Sequence, residues 1–147
     1  MTDPVAIAEL WRGGQLESTH LGHAVICGAD GSVEAAWGDP AAVIFPRSSC
    51  KMVQALPLLE SGAGRDLTVK QRGLVCASHN GAAIHTEAVG AWLAELGLGE
   101  ADLRCGPQEP GDRPERDRLI KTDNSPCQLH NNCSGKHSGF LTLAKHC

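Results

Sequence analysis

The sequence changes its period once, at Pro46, and that change limits what the chain can fold into. Upstream, apolar residues come in short runs divided by glycine turns. The segments 5–11 (VAIAELW), 23–28 (HAVICG) and 32–38 (SVEAAWG) read as strands. Gly13-Gly14 makes a turn, and Ala29-Asp30-Gly31 joins the latter two strands, because Asp-Gly tolerates positive φ. The reading predicts an antiparallel meander. Downstream, Met52, Ala55, Leu56 and Leu59 recur at i, i+3, i+4 and i+7, the stripe of a helix. Ser48 or Ser49 is placed to cap it, and Pro57 to kink or shorten it. A second helix is predicted over about 83–96, with Val89, Trp92, Leu93 and Leu96 inward and Gly97 ending it. The fold class is therefore mixed α/β (α+β).

A chain of 147 residues with 41% apolar and 20% charged residues suits one globular domain. The net charge of −4, with no basic patch, argues against a nucleic-acid partner. No run approaches the ~18 apolar residues of a membrane span. Seven cysteines, an odd number without framework spacing, argue against a disulfide scaffold. The first 30 residues lack a basic start followed by an apolar run, so no secretory leader is expected and a reduced, cytoplasmic chain is. Asn132-Cys133-Ser134 matches the glycosylation pattern, which has no use there. Residues 106–118, with three Pro, two Gly and seven charged residues, read as a solvated loop. The stretch 138–147 begins a helix-like run and stops with no polar tail, so the chain is expected to be part of a longer one.

Three stretches bring together residues that could carry chemistry. In 47–51 (RSSCK), Ser48 and Lys51 stand three apart at a predicted helix start and share a face; Ser49 does not. A serine hydroxyl needs a base to attack, and a lysine at its reference pKa near 10.4 is only about 0.1% neutral near pH 7.4. Such a pair works only where the surroundings release the lysine's proton; Arg47 is one candidate neighbour. N–H groups at the helix start could receive an oxyanion. In 74–81 (LVCASHNG), a strand-like run leads to Ser78 and His79. In 130–140 (HNNCSGKHSGF), Cys133 and Lys136 flank Gly135 before a helix. Cys-x-x-Lys is not a standard zinc spacing, and Cys127 and His130 could equally contribute to a metal site. Taken alone, each stretch is better explained by ordinary structure: a capped helix with a solvated lysine, a polar loop, a polar turn.

Taken in order, RGGQLESTHLGHAV, PRSSCKMVQALPLLE, LVCASHNG, ADLRCG and LHNNCSGKHSGFLTLAK resemble the Rhizobium etli type of L-asparaginase, the asparaginase II domain family, over about residues 10–145. HNNCSGKHSGF is the most specific element. The resemblance implies a sheet flanked by helices, similar to serine β-lactamases and glutaminases and incomplete here. Residues 1–147 would be the N-terminal portion of a single asparaginase domain. It implies hydrolysis of L-asparagine to L-aspartate and ammonia, with Ser48 and Lys51 as the Ser-x-x-Lys pair and Ser78 as the second catalytic serine. It also implies zinc on Cys133 and Lys136 with a further cysteine from later in the chain, and a homodimer. Arg47, His79 and His137 complete the site as candidate substrate-binding residues. The alternatives are another serine amidase of the same fold, which HNNCSGKH speaks against, a non-catalytic zinc-binding module, or an inactive fragment.

Overall fold

The computed structural model of the chain describes residues 3–147. The chain forms two compact units that meet in sequence between Phe45 and Pro46, each described by itself.

In the first unit, β1 (Val5–Arg12) pairs antiparallel with β2 (Gln15–Gly22), Val5 opposite Gly22 and Arg12 opposite Gln15. Gly13 and Gly14 both take positive φ, +55° and +79°, as a two-residue hairpin turn requires. A second hairpin joins β3 (Ala24–Cys27) to β4 (Val33–Trp37) through Gly31 at φ +84°. The expected meander is thus corrected to two separate two-stranded sheets. Strand β2 was not legible as a strand. Its residues, QLESTHLG, are mostly polar, and the turn before them, not their own pattern, brings them into register. No described residue before Pro46 is buried, and Ile7, Trp11, Leu21 and Phe45 stand exposed.

The second unit is helical: α1 (Lys51–Glu60), α2 (Val69–Cys76), α3 (Ala83–Glu95), α4 (Arg113–Lys121) and α5 (Ser134–His146). With the strands, it makes the chain the mixed α/β protein expected. Ala55 and Leu58 of α1, Leu74 and Val75 of α2, Val89, Trp92 and Leu93 of α3, and Leu103 form the core. Helix α3 agrees with its expected span, and Gly97 ends it at φ +68°.

Of the stripe expected on α1, only Ala55 faces inward. Met52, Leu56 and Leu59 are exposed, and the inward face is Lys51, Ala55 and Leu58. The pattern failed because the innermost position of the first turn holds a lysine. Neither Ser48 nor Ser49 caps α1. Residues 47–50 form a 3-10 turn, Cys50 occupies the cap position but its thiol donates back to Arg47 O instead of capping the helix, and the Ser49 hydroxyl donates to Pro46 O. Pro57 lies in the last turn, and the helix ends three residues later.

Two loop or strand expectations give way to helices. Leu74–Cys76 is the end of α2, not a strand. A capping box starts that helix: Gln71 N–H donates to Thr68 Oγ1 at 3.2 Å and Thr68 N–H to Gln71 Oε1 at 2.8 Å. The later half of the expected 106–118 loop is α4. Asp112 accepts from Glu115 N–H at 3.1 Å, and Pro114 sits in the first turn, where its missing N–H costs nothing. In both cases the cap outweighs a weak apolar period.

Helix α5 turns a face of small residues inward: Ser134, Gly135, Ser138, Gly139 and Thr142. A Cβ on Gly135 would lie 2.7 Å from Leu74 O, and one on Gly139 2.8 Å from Val75 Cγ2. Gly135 therefore lets α5 approach the backbone of α2, and Gly139 makes room for the Val75 side chain. No helix among the described residues is long and apolar enough to cross a membrane.

Candidate active site

A cleft of about 270 Å³ opens in the helical unit, lined by Arg47, Ser48, Lys51, Gln54, Asn132, Cys133 and Lys136. The 3-10 turn ahead of α1 and the turn ahead of α5 thus face one space. Five of the sequence-derived candidates meet there: Arg47, Ser48, Lys51, Cys133 and Lys136. Ser78 lies outside the cleft, exposed in a separate hollow that Ala77 and His85 also line, and reaches its residues through a hydrogen bond with Lys51.

Lys51 is 2% exposed. Its Nζ donates to Ala77 O at 2.7 Å and lies 2.8 Å from Ser78 Oγ and 3.4 Å from Asn132 O. None of its hydrogen bonds goes to Ser48, three residues before it. The Ser-x-x-Lys spacing puts both groups on the cleft, but the hydroxyl in contact with the amine is that of Ser78. Arg47, at the cleft's edge, holds φ at +52°, a region costly for a residue with a side chain, by about 1–3 kcal/mol.

His79 and His137 do not line this cleft. His79 is buried, and both ring nitrogens are engaged. Gly81 N–H donates to Nδ1 at 3.1 Å, so the ring proton sits on Nε2, which donates to Ser134 Oγ at 2.9 Å. The Ser134 hydroxyl in turn donates to Leu129 O at 3.0 Å. Burial first, then the neighbouring His85, Lys51 and His130, push the His79 pKa down to about 4, so the ring is neutral. It stacks on His85 with centroids 5.0 Å apart. His137 is half-buried beside Phe140, and burial, with Lys136 and Lys51 nearby, lowers its pKa.

The turn carrying Cys133 is held by Asn131, a buried residue that sequence reasoning did not single out. Its Oδ1 accepts from Cys133 N–H at 2.9 Å, and its Nδ2 donates to Cys105 O at 2.9 Å and Gly106 O at 3.1 Å. Asn132 acts through its backbone carbonyl, which accepts from both Lys51 and His79 N–H. Gln54, one turn after Lys51, was also missed. The two asparagines of HNNC were the available signal; Gln54 gave none.

Cys127 and His130, the other metal candidates, belong elsewhere. His130 Nδ1 accepts from Cys127 N–H at 3.0 Å and lies 3.2 Å from Cys127 Sγ, while Nε2 faces Glu115 Oε1 at 3.2 Å. Arg118 binds both oxygens of Glu115 and, with His130, holds its carboxyl at a pKa of about 2. Burial and the nearby Glu100 push the Cys127 thiol up, so this cluster keeps its thiol protonated and serves as structure.

Cys133 and Lys136 present a sulfur and a nitrogen to the same cleft. Zinc takes four ligands, three of them from protein even at catalytic sites. Among the described residues no three His, Cys, Asp or Glu side chains gather to hold a metal ion. The pair does not complete a zinc site by itself.

Residues 8–147 match the model of a family described as L-asparaginase II. No curated protein matches the chain.

Proposed function

The chain belongs to the L-asparaginase II family, and on that premise we propose that it hydrolyses L-asparagine to L-aspartate and ammonia with Lys51 as the base of a serine–lysine pair. The observation that carries the chemistry is the 2.8 Å contact between the buried Lys51 Nζ and Ser78 Oγ. A free lysine amine has two N–H bonds and one lone pair. The two N–H bonds suit Ala77 O and Asn132 O, which leaves the lone pair for the Ser78 hydroxyl.

As Ser78 Oγ attacks the side-chain amide carbon, its proton passes to Lys51 Nζ. The tetrahedral intermediate collapses, the lysine gives that proton to the leaving nitrogen, and ammonia departs. The β-aspartyl ester is then cleaved by a water whose proton the free amine accepts, releasing L-aspartate and restoring the Ser78 hydroxyl. Arg47 supplies a cation at the cleft's edge for the substrate's α-carboxylate.

A second reading keeps Ser48 as the nucleophile, with Ser78 and Lys51 together accepting its proton. It is favoured by Ser48 lining the cleft, where Ser78 does not. Zinc on Cys133 and Lys136 and a homodimer remain parts of the proposal that rest on the resemblance, and a cytoplasmic location is a part that rests on the sequence reading alone. Lys136 would have to be neutral to bind the metal.

The deciding experiment is an assay of ammonia release by the intact protein from L-asparagine, L-glutamine and a β-lactam, followed by acid quench and peptide mapping. L-asparagine is expected to be the substrate, with the acyl mass on the peptide containing Ser78. An acyl mass on the peptide containing Ser48 selects the second reading. A folded protein that releases no ammonia from L-asparagine refutes the function.

A further inference from the structure

Ser78 lies in the short connection between α2 and α3, which a mobile backbone would leave poorly aimed. Its aim is set from across the unit. His79, the next residue, is bound to the turn ahead of α5 at two points: its N–H donates to Asn132 O at 3.3 Å, and its ring Nε2 donates to Ser134 Oγ at 2.9 Å. The same Asn132 carbonyl lies 3.4 Å from Lys51 Nζ. The ring's other nitrogen accepts from Gly81 N–H, fixing the connection on itself. Gly81 is at φ +75°, and a Cβ there would lie 2.8 Å from His130 O, so the connection lies directly against the 130–134 turn.

Sequence reasoning made His79 a substrate-binding residue. A ring with both nitrogens engaged inside the protein, 6% exposed, has no donor or acceptor left for a ligand. We propose that His79 is a positioning residue: through Ser134 it ties the Ser78 connection to the start of α5 and so holds Ser78 Oγ against Lys51. This inference rests on the reading in which the Lys51–Ser78 pair does the chemistry. It adds Ser134, the first residue of α5, as the acceptor that makes the tie directional.

A substrate ligand and a positioning residue fail differently. Loss of a ligand raises KM; loss of a residue that aims the nucleophile lowers kcat and leaves KM nearly alone. Two groups acting through one hydrogen bond are also non-additive.

The test is steady-state ammonia release from L-asparagine by the intact protein and its variants His79→Ala, His79→Gln, Ser134→Ala and the double alanine variant. Thermal unfolding and amide hydrogen exchange are measured on the same proteins. Ser134→Ala and His79→Gln are mild enough to carry the test if His79→Ala unfolds. The expected result is a fall in kcat of roughly 10- to 100-fold in either alanine variant with KM within about threefold, and no further loss in the double variant. His79→Gln, which retains an N–H donor, is expected to recover much of the rate. Exchange is expected to quicken by roughly tenfold in both 77–81 and 130–134 when either partner is removed. A raised KM at unchanged kcat, additive losses, or faster exchange in only one of the two segments would overturn the proposal. Exchange reads the tie without substrate, so a wild-type protein inert toward asparagine would defeat the proposed function while the tie is still judged by exchange.

Discussion

Lys51 and Ser78 are 27 positions apart and share a 2.8 Å hydrogen bond, while Ser48, three residues from the same lysine, shares none. Sequence spacing put the nearer serine in the pair; the fold puts the farther one in contact. The second contact of the amine, with Ala77 O, comes from the same connection, so α1 and the end of α2 hold the pair together.

The pair can be separated from its neighbours by substitution. Lys51→Met is expected to lower ammonia release from L-asparagine by at least ~10³-fold, since it removes the base from a covalent mechanism. Ser49→Ala is expected to stay within a few-fold, because the Ser49 hydroxyl is spent on Pro46 O. Parallel rate assays check both, and a severe Ser49→Ala effect beside a harmless Lys51→Met would defeat the assignment.

Zinc content is a separate question from turnover. Cys133→Ala is expected to weaken zinc retention, and to raise KM more than it lowers kcat if the ion holds substrate. Equilibrium dialysis with elemental analysis checks the first part and kinetics the second. Unchanged zinc in the variant would remove Cys133 from the ligands.

Stability should fall in acid in two steps. The His79 pKa drops from 6.5 in the unfolded chain to about 4 in the fold, mainly through burial. Between those values the unfolded state binds more protons, so stability is fully present above about pH 6.5 and is lost as pH falls toward 4. His137, also lowered, acts in the same direction. Glu115, held down from 4.5 to about 2 chiefly by Arg118, adds a second loss between those values. Urea unfolding across pH 7 to 3 checks this. His79→Gln is expected to flatten the upper step and leave the lower one.

Two glycines in neighbouring helices should respond oppositely to alanine. Gly135→Ala is expected to destabilise by about 1–3 kcal/mol, because its Cβ would press on Leu74 O and Leu74 Cβ. Gly73→Ala in α2 meets nothing within 4 Å and is expected to stabilise by about 0.5–1 kcal/mol through helix propensity. Thermal or urea unfolding of both variants checks the pair.

Elements with a strong local signature were legible in the sequence: β1, the Asp-Gly hairpin and α3 with its closing glycine. Those set by a single cap or turn were not. Helix α4 depends on Asp112, and β2 on two glycines before it. The candidate site was legible as residue types, and five of eight candidates line one cleft. Its wiring was not, because a backbone carbonyl such as Asn132 O leaves no trace in side-chain spacing. The bond from the His79 ring to Ser134 gave no signal for a similar reason: nothing in SHNG says which way the ring turns.

The glycine face of α5 has a consequence for how such a site can change over generations. Where α5 meets α2, a hydrogen atom stands in place of a side chain at Gly135 against the Leu74 carbonyl, so backbone acts as the ruler between the helix bearing Lys136 and the helix that ends just before Ser78. A ruler made of backbone does not stretch when rotamers change. Residues on the outward side of α5, Phe140 and Ala144 among them, can drift without resetting that distance. Variation in this helix is thus divided between a face that cannot grow and a face on which new preferences can be tried.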